Sequence, residues 1–156
     1  MEMQKEIDKF LSLPAVVQAL RGLAPSAKIL AQIDAKHYLV IWEGGCLRSH
    51  ELDLGEKVEA DFEFSVKEPG ALALMEEAAK SKANPASLGI YAITQVFSAR
   101  EDRRIQFRVK APLFTLVRKG YFSVLMAGGP KVLSELGKRG FGSIGKVREV
   151  LRKTKG

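Results

Sequence analysis

The sequence predicts an α+β fold, α/β in the broad sense, with helices packed on a mainly antiparallel sheet. Three observations carry this. Val58, Ala60, Phe62, Phe64 and Val66 alternate strictly with Glu59, Asp61, Glu63 and Ser65, the period of a half-buried strand. That run passes through Lys67-Glu68-Pro69-Gly70 into an apolar helical stretch, Ala71 to Ala79. Tyr38-Leu39-Val40-Ile41-Trp42, rich in β-formers, ends at the turn signal Glu43-Gly44-Gly45.

Along the chain, Ile7, Phe10, Leu11, Val17 and Leu20 recur at near-helical spacing, so the first 23 residues read as helix. Ser12-Leu13-Pro14 interrupts it, with Ser12 as cap and Pro14 in the first turn of a second helix. Lys28 to Ile33 extends the following strand backwards or forms its own. Tyr38–Trp42 and Cys46–Leu52 make a hairpin, and Asp53-Leu54-Gly55-Glu56 turns into the alternating strand. These three strands are expected to lie antiparallel through short connections.

Asn84-Pro85 reads as a cap followed by proline at the first helical position. The stretch Leu88–Phe97 behind it is apolar on nearly every side, as in a buried core helix, a subunit contact or a cavity wall; its β-branched content keeps a strand open. Ser98–Arg104 is a charged loop. Ile105, Phe107 and Val109 alternate with Gln106, Arg108 and Lys110 as a strand with a basic outer face, Phe107 lying on its core side. Leu113–Lys119 reads as a short helix. Tyr121–Ala127 reads as a buried strand echoing Val58–Val66, with Gly128-Gly129-Pro130 turning into a helix over Lys131–Leu136. From Ser143 a last helix carries Ile144, Val147 and Leu151. The organisation is one domain over residues 1–140, followed by a basic C-terminal helix or tail over 141–156.

Charge is unevenly distributed. Residues 1–97 hold 10 Lys/Arg against 14 Asp/Glu, whereas residues 98–156 hold 15 against 4, together giving the net +7. The basic half suits anionic headgroups, nucleic acid or an acidic partner. Cys46 stands alone, which excludes an intramolecular disulfide and a cysteine-based metal site. The charged N-terminus has no apolar core of a secretory signal, and no apolar run approaches the ~20 residues of a membrane span. A cytoplasmic protein is the expectation.

Motifs for chemistry fail on context. Gly140 to Lys146 fits both G-x-G-x-x-G and G-x-x-x-x-G-K. It follows a predicted helix rather than a strand, however, and Val147 stands where a magnesium-binding Ser/Thr is needed. His37 and His50 flank the hairpin with Asp34 and Glu51 nearby, but a third ligand is missing. Cys46 has no activating partner. Glu59, Asp61 and Glu63 sit about 7 Å apart on one strand face, the pattern of a solvated row that the basic half can pair with. Arg100, Arg103, Arg104, Arg108 and Lys110 with Phe107 and Phe114 interleaved give a weak single-stranded nucleic-acid signal. The same cations suit a phospholipid headgroup or an acyl carboxylate.

Ala60-Asp61-Phe62-Glu63-Phe64-Ser65-Val66, leading to Ala71-Leu72-Ala73-Leu74-Met75, resembles the strand-to-helix unit of the sterol carrier protein 2 family of lipid-transfer domains. Gly120-Tyr121-Phe122-Ser123-Val124-Leu125, through Gly128 to Val132-Leu133, is similar to that family's Gly-flanked strand and closing helix. The hairpin at Tyr38–Leu52 fits its opening strands, and Lys80–Lys119 reads as an insertion. The resemblance implies an SCP2-like five-stranded sheet covered by helices around an apolar tunnel, with no enzymatic activity and no cofactor. A cavity of ~300–1,000 Å³ would hold one acyl chain, lipid or sterol. The expected lining is Leu74, Met75, Leu88, Tyr91, Ala92, Phe114 and Phe122, with Arg104, Arg108 and Arg118 for an anionic headgroup. Expected partners are a lipid or other hydrophobic small molecule, with an anionic membrane surface and a homodimer as further options. A basic module for nucleic acid or anionic surfaces is the alternative function.

Overall fold

In a computed structural model of the chain, the residues described are 2–80, 82–127 and Ser134. The order is α1 (Met3–Leu11), α2 (Pro14–Leu20), β1 (Ile29–Ile33), β2 (Lys36–Glu43), β3 (Cys46–Glu51) and β4 (Phe62–Val66). Then follow α3 (Glu68–Ala78), α4 (Pro85–Val96), β5 (Gln106–Val109), α5 (Leu113–Arg118) and α6 (Tyr121–Ala127). The expected break near Pro14 separates α1 from α2, with Pro14 in the first turn of α2. Ser12 does not cap α2. Leu13 holds that position, and the Ser12 hydroxyl donates to the Lys9 carbonyl at the end of α1.

The five strands form one mixed sheet in the order β3-β2-β1-β4-β5. Three of its pairings are antiparallel, β1–β2, β2–β3 and β4–β5, and β1–β4 is parallel. Lys28–Ile33 thus yields a strand of its own, and the expectation that the alternating strand joins the hairpin antiparallel is corrected. Because β3 and β4 point the same way, residues 52–61 must return along the length of the sheet. Ten extended residues reach at most ~35 Å, enough for strands of five or six. The alternation of Val58–Ala60 belongs to this return, so β4 begins only at Phe62.

Ile29, Ala31 and Ile33, together with Tyr38, Val40, Trp42, Leu47, Phe64 and Val66, face the helices. They meet Ile7, Leu11, Ala15, Val16, Ala71, Ala78 and Leu88 in the core. Helix α1 is pinned to β3 by polar groups. The backbone N–H and hydroxyl of Ser49, only 1% exposed, donate to Asp8 Oδ1 at 2.7 and 2.8 Å, and Gln4 donates to the Ser49 carbonyl at 2.9 Å. Such pairing is what makes a buried hydroxyl tolerable.

The Leu88–Phe97 stretch is helical, as α4. Its capping box is complete: Asn84 accepts from the Ser87 N–H at 2.9 Å, and the Asn84 N–H donates to the Ser87 hydroxyl. The strand expected over Tyr121–Ala127 is a helix, α6, packed against α2 and α5. A short continuous apolar run has no periodicity that separates buried strand from buried helix. Here Gly120, at φ +86°, ends α5 and starts α6. The five strands are completed by β1 and β5 instead. The turn and helix expected over 128–136, the glycine-rich Gly140–Lys146 and the tail over 141–156 lie outside the described residues, apart from helical Ser134.

Candidate functional site: an aromatic strip beside a buried carboxylate

The helix-facing side of the sheet is closed at the β3 end and open at the β5 end. Register places Phe62 opposite Val109 and Phe64 opposite Phe107. The Phe62 and Phe107 rings stack with centroids 5.8 Å apart, and the Tyr121 ring of α6 lies 6.5 Å from Phe62. Phe62 and Phe64 are half-buried, whereas Phe107 is 46% and Val109 50% exposed. Phe107 is therefore not core, contrary to its place in the alternation. As the edge strand, β5 has no outer neighbour in the sheet among the described residues.

Tyr121 joins this strip to a polar knot. Its hydroxyl donates to Asp61 Oδ2 at 3.0 Å, Lys119 Nζ donates to Oδ1 at 2.8 Å, and the Lys28 backbone N–H donates to Oδ2 at 2.9 Å. The Asp61 backbone is also engaged: its N–H donates to the Lys28 carbonyl, and its carbonyl accepts from Lys110 and Ala111. Asp61 is 7% exposed, so the expectation of a solvated acidic row fails at its middle member. Burial opposes ionisation, but Lys119, the Lys28 N–H and the Tyr121 hydroxyl together hold the carboxyl below its ordinary value. Burial and the Asp61 carboxylate push the Tyr121 phenol well above its ordinary range. Glu63, the next acid, pairs with Lys110 at 3.3 Å, so acidic and basic halves do meet here.

An open recess of about 500 Å³ adjoins the knot, lined by Lys28, Asp61, Lys110, Thr115, Arg118 and Lys119 among others. A second, of about 380 Å³, includes Leu30, Gln32, Glu63, Ser65 and Arg108.

The residues expected to line a cavity are dispersed. Leu88 is buried in the core, and Leu74 and Met75 are half-buried against it. Tyr91, Ala92 and Phe122 are half-buried on α4 and α6. Phe114 is 54% exposed, with the Arg118 guanidinium 5.9 Å from its ring centre. None of these seven borders either recess, whereas Arg118 borders the larger and Arg108 the smaller. Arg104 is turned inward to the Ser98 and Ala99 carbonyls and ties off the loop after α4. His50 bonds Glu43, and no group of three or more metal-ligating side chains occurs among the described residues. Sequence reasoning missed Asp61, Lys119 and Tyr121 as a unit. An acid in an alternating run looks solvated until a lysine 58 positions away is folded onto it.

No family model and no curated protein matches the chain. Among solved structures it is similar to one titled "UbiJ-SCP2 Ubiquinone synthesis protein". The TM-score is 0.43 and the identity 10%, over 78% of this chain and 84% of that one. The five-stranded sheet with helices on one face agrees with what the sequence resemblance implies. No helix among the described residues is long and apolar enough to cross a membrane.

Proposed function

We propose that the chain binds a lipid or another hydrophobic small molecule, without covalent chemistry, along the strip formed by Phe62, Phe107, Val109 and Tyr121. The observation that carries this is the stacked Phe62–Phe107 pair, lying beside the core-packed Phe64 yet open to solvent at β5. Uncovered aromatic surface on a folded domain favours an apolar occupant, since each buried Å² contributes about 25 cal/mol. The neighbouring recess with Lys28 and Arg118 sets cations close to one end of such a ligand.

Nucleic acid is the weaker reading. β5 carries a single ring, Phe107, and that ring is stacked on Phe62, whereas single-strand binding uses several rings free to stack with successive bases. The test is native mass spectrometry of the purified chain, before and after organic extraction, followed by titration with oleate and a fluorescent phospholipid. Extractable mass, or uptake that Phe107→Ser weakens, is expected. An apo mass together with no uptake of either probe would overturn the proposal.

A further inference from the structure

Every residue of β5 is exposed, on both faces of the strand. Phe107 and Val109 project to one side, and Arg108 and Lys110 to the other. Five residues beyond the end of β5, Phe114 is 54% exposed with Arg118 against its ring. Residues 106–119 carry four cations and no acid. Lys110 and Lys119 pair with Glu63 and Asp61, whereas Arg108 and Arg118 have no carboxylate partner among the described residues.

We propose that this β5–α5 edge docks on the surface of an anionic bilayer. The occupant follows from charge complementarity and from the interleaving of large apolar side chains with unpaired arginines. That combination places rings at the level of the acyl chains and guanidinium groups among the phosphates. An edge strand met edge-on lets side chains of both faces reach the surface, which a strand inside the sheet could not do. The proposal goes beyond ligand binding and uses Phe114, Arg108 and Arg118, which lie outside the aromatic strip.

The test is sedimentation of the full chain with vesicles of phosphatidylcholine alone and with about a third phosphatidylglycerol. The mixed vesicles should bind it and the neutral ones much less. Phe114→Ser, which leaves charge unchanged, and the double reversal Arg108→Glu/Arg118→Glu should each weaken binding about tenfold. An equal reversal at the other end of the domain, Lys5→Glu on α1 with Arg48→Glu on the edge strand β3, should weaken it several-fold less. Thermal melting checks that each variant folds.

The proposal is overturned by no binding to the mixed vesicles, by equal binding to both kinds, or by equal loss from the two reversals with none from Phe114→Ser. It is also overturned if scattering shows a dimer that Phe114→Ser disperses while vesicle binding is unchanged. Oleate uptake by Phe114→Ser is expected to be normal. Vesicle binding by a chain that carries no extractable mass and takes up neither probe would therefore sink the ligand reading alone, and ligand uptake without vesicle binding would sink this one alone.

Discussion

Gly120 is packed against the backbone of Gly22: a Cβ on Gly120 would overlap the Gly22 carbonyl oxygen and sit 2.9 Å from its carbon. The contact fastens the α5–α6 corner to the segment after α2. It is reinforced by the Ala24 N–H donating to the Lys119 carbonyl at 2.7 Å and by Lys119 Nζ donating to the Ser26 carbonyl at 3.2 Å.

Gly120→Ala should therefore cost ~3 kcal/mol or more, combining a φ of +86° with a backbone clash that no side-chain rotation relieves. Gly44→Ala, at φ +58° in an open turn with nothing within 4 Å, should cost only ~1 kcal/mol. Urea unfolding of the two variants measures the contrast, and equal losses would mean that strain alone matters at Gly120.

Removing the charge of Asp61 should be expensive. Asp61→Asn leaves the Lys119 ammonium, whose side chain is 17% exposed, without its partner, at about 3 kcal/mol. The double variant Asp61→Asn/Lys119→Met should recover part of that loss, since neither charge then remains in the site. A double-mutant cycle by chemical denaturation reads the coupling directly.

The same knot sets the pH dependence of stability. Asp61 has a folded pKa below its ordinary 3.8, so its contribution is complete above that value and is lost as pH falls further, through the folded pKa. Tyr121 has a folded pKa above its ordinary 10.0, so its contribution is complete below that value and fades as pH rises beyond it. Melting temperature against pH should fall at both ends. Asp61→Asn should flatten the acid limb, and Tyr121→Phe the alkaline one.

Phe107→Ser should separate stability from binding. Phe107 is 46% exposed, so its loss should cost about 1 kcal/mol while lowering uptake of an apolar probe severalfold. Leu88→Ala, at 7% exposure in the core, should cost 2–5 kcal/mol by the usual cost of a core truncation. A melt and a probe titration on both variants check this.

Much of the fold was legible because local signals agreed with tertiary ones. The Asn84 cap and Pro85 announced α4, Glu43-Gly44-Gly45 announced the β2–β3 hairpin, and period two at Gln106–Val109 announced β5. The helix at Tyr121–Ala127 was hidden because an apolar run of seven residues suits either state and packing against α2 decides it. The parallel partner of β4 was hidden because hydrophobic period reports which face is buried, never which strand lies alongside. Of the site, the basic side of β5 could be read in advance. The Asp61–Tyr121 contact could not, since it joins residues 60 positions apart.

The parallel pairing of β1 with β4 also bears on how the chain reaches its structure. Strands β1, β2 and β3 form a meander closed by turns of a few residues, so their nucleation costs little loop entropy. Each β1–β4 pair joins residues 33 apart and needs the whole meander already traversed. The aromatic strip, resting on β4 and β5, thus belongs to the late-assembling half of the sheet. Slow, non-local closure of that half governs how long Phe62 and Phe64, half-buried in the folded chain, stay fully uncovered during folding.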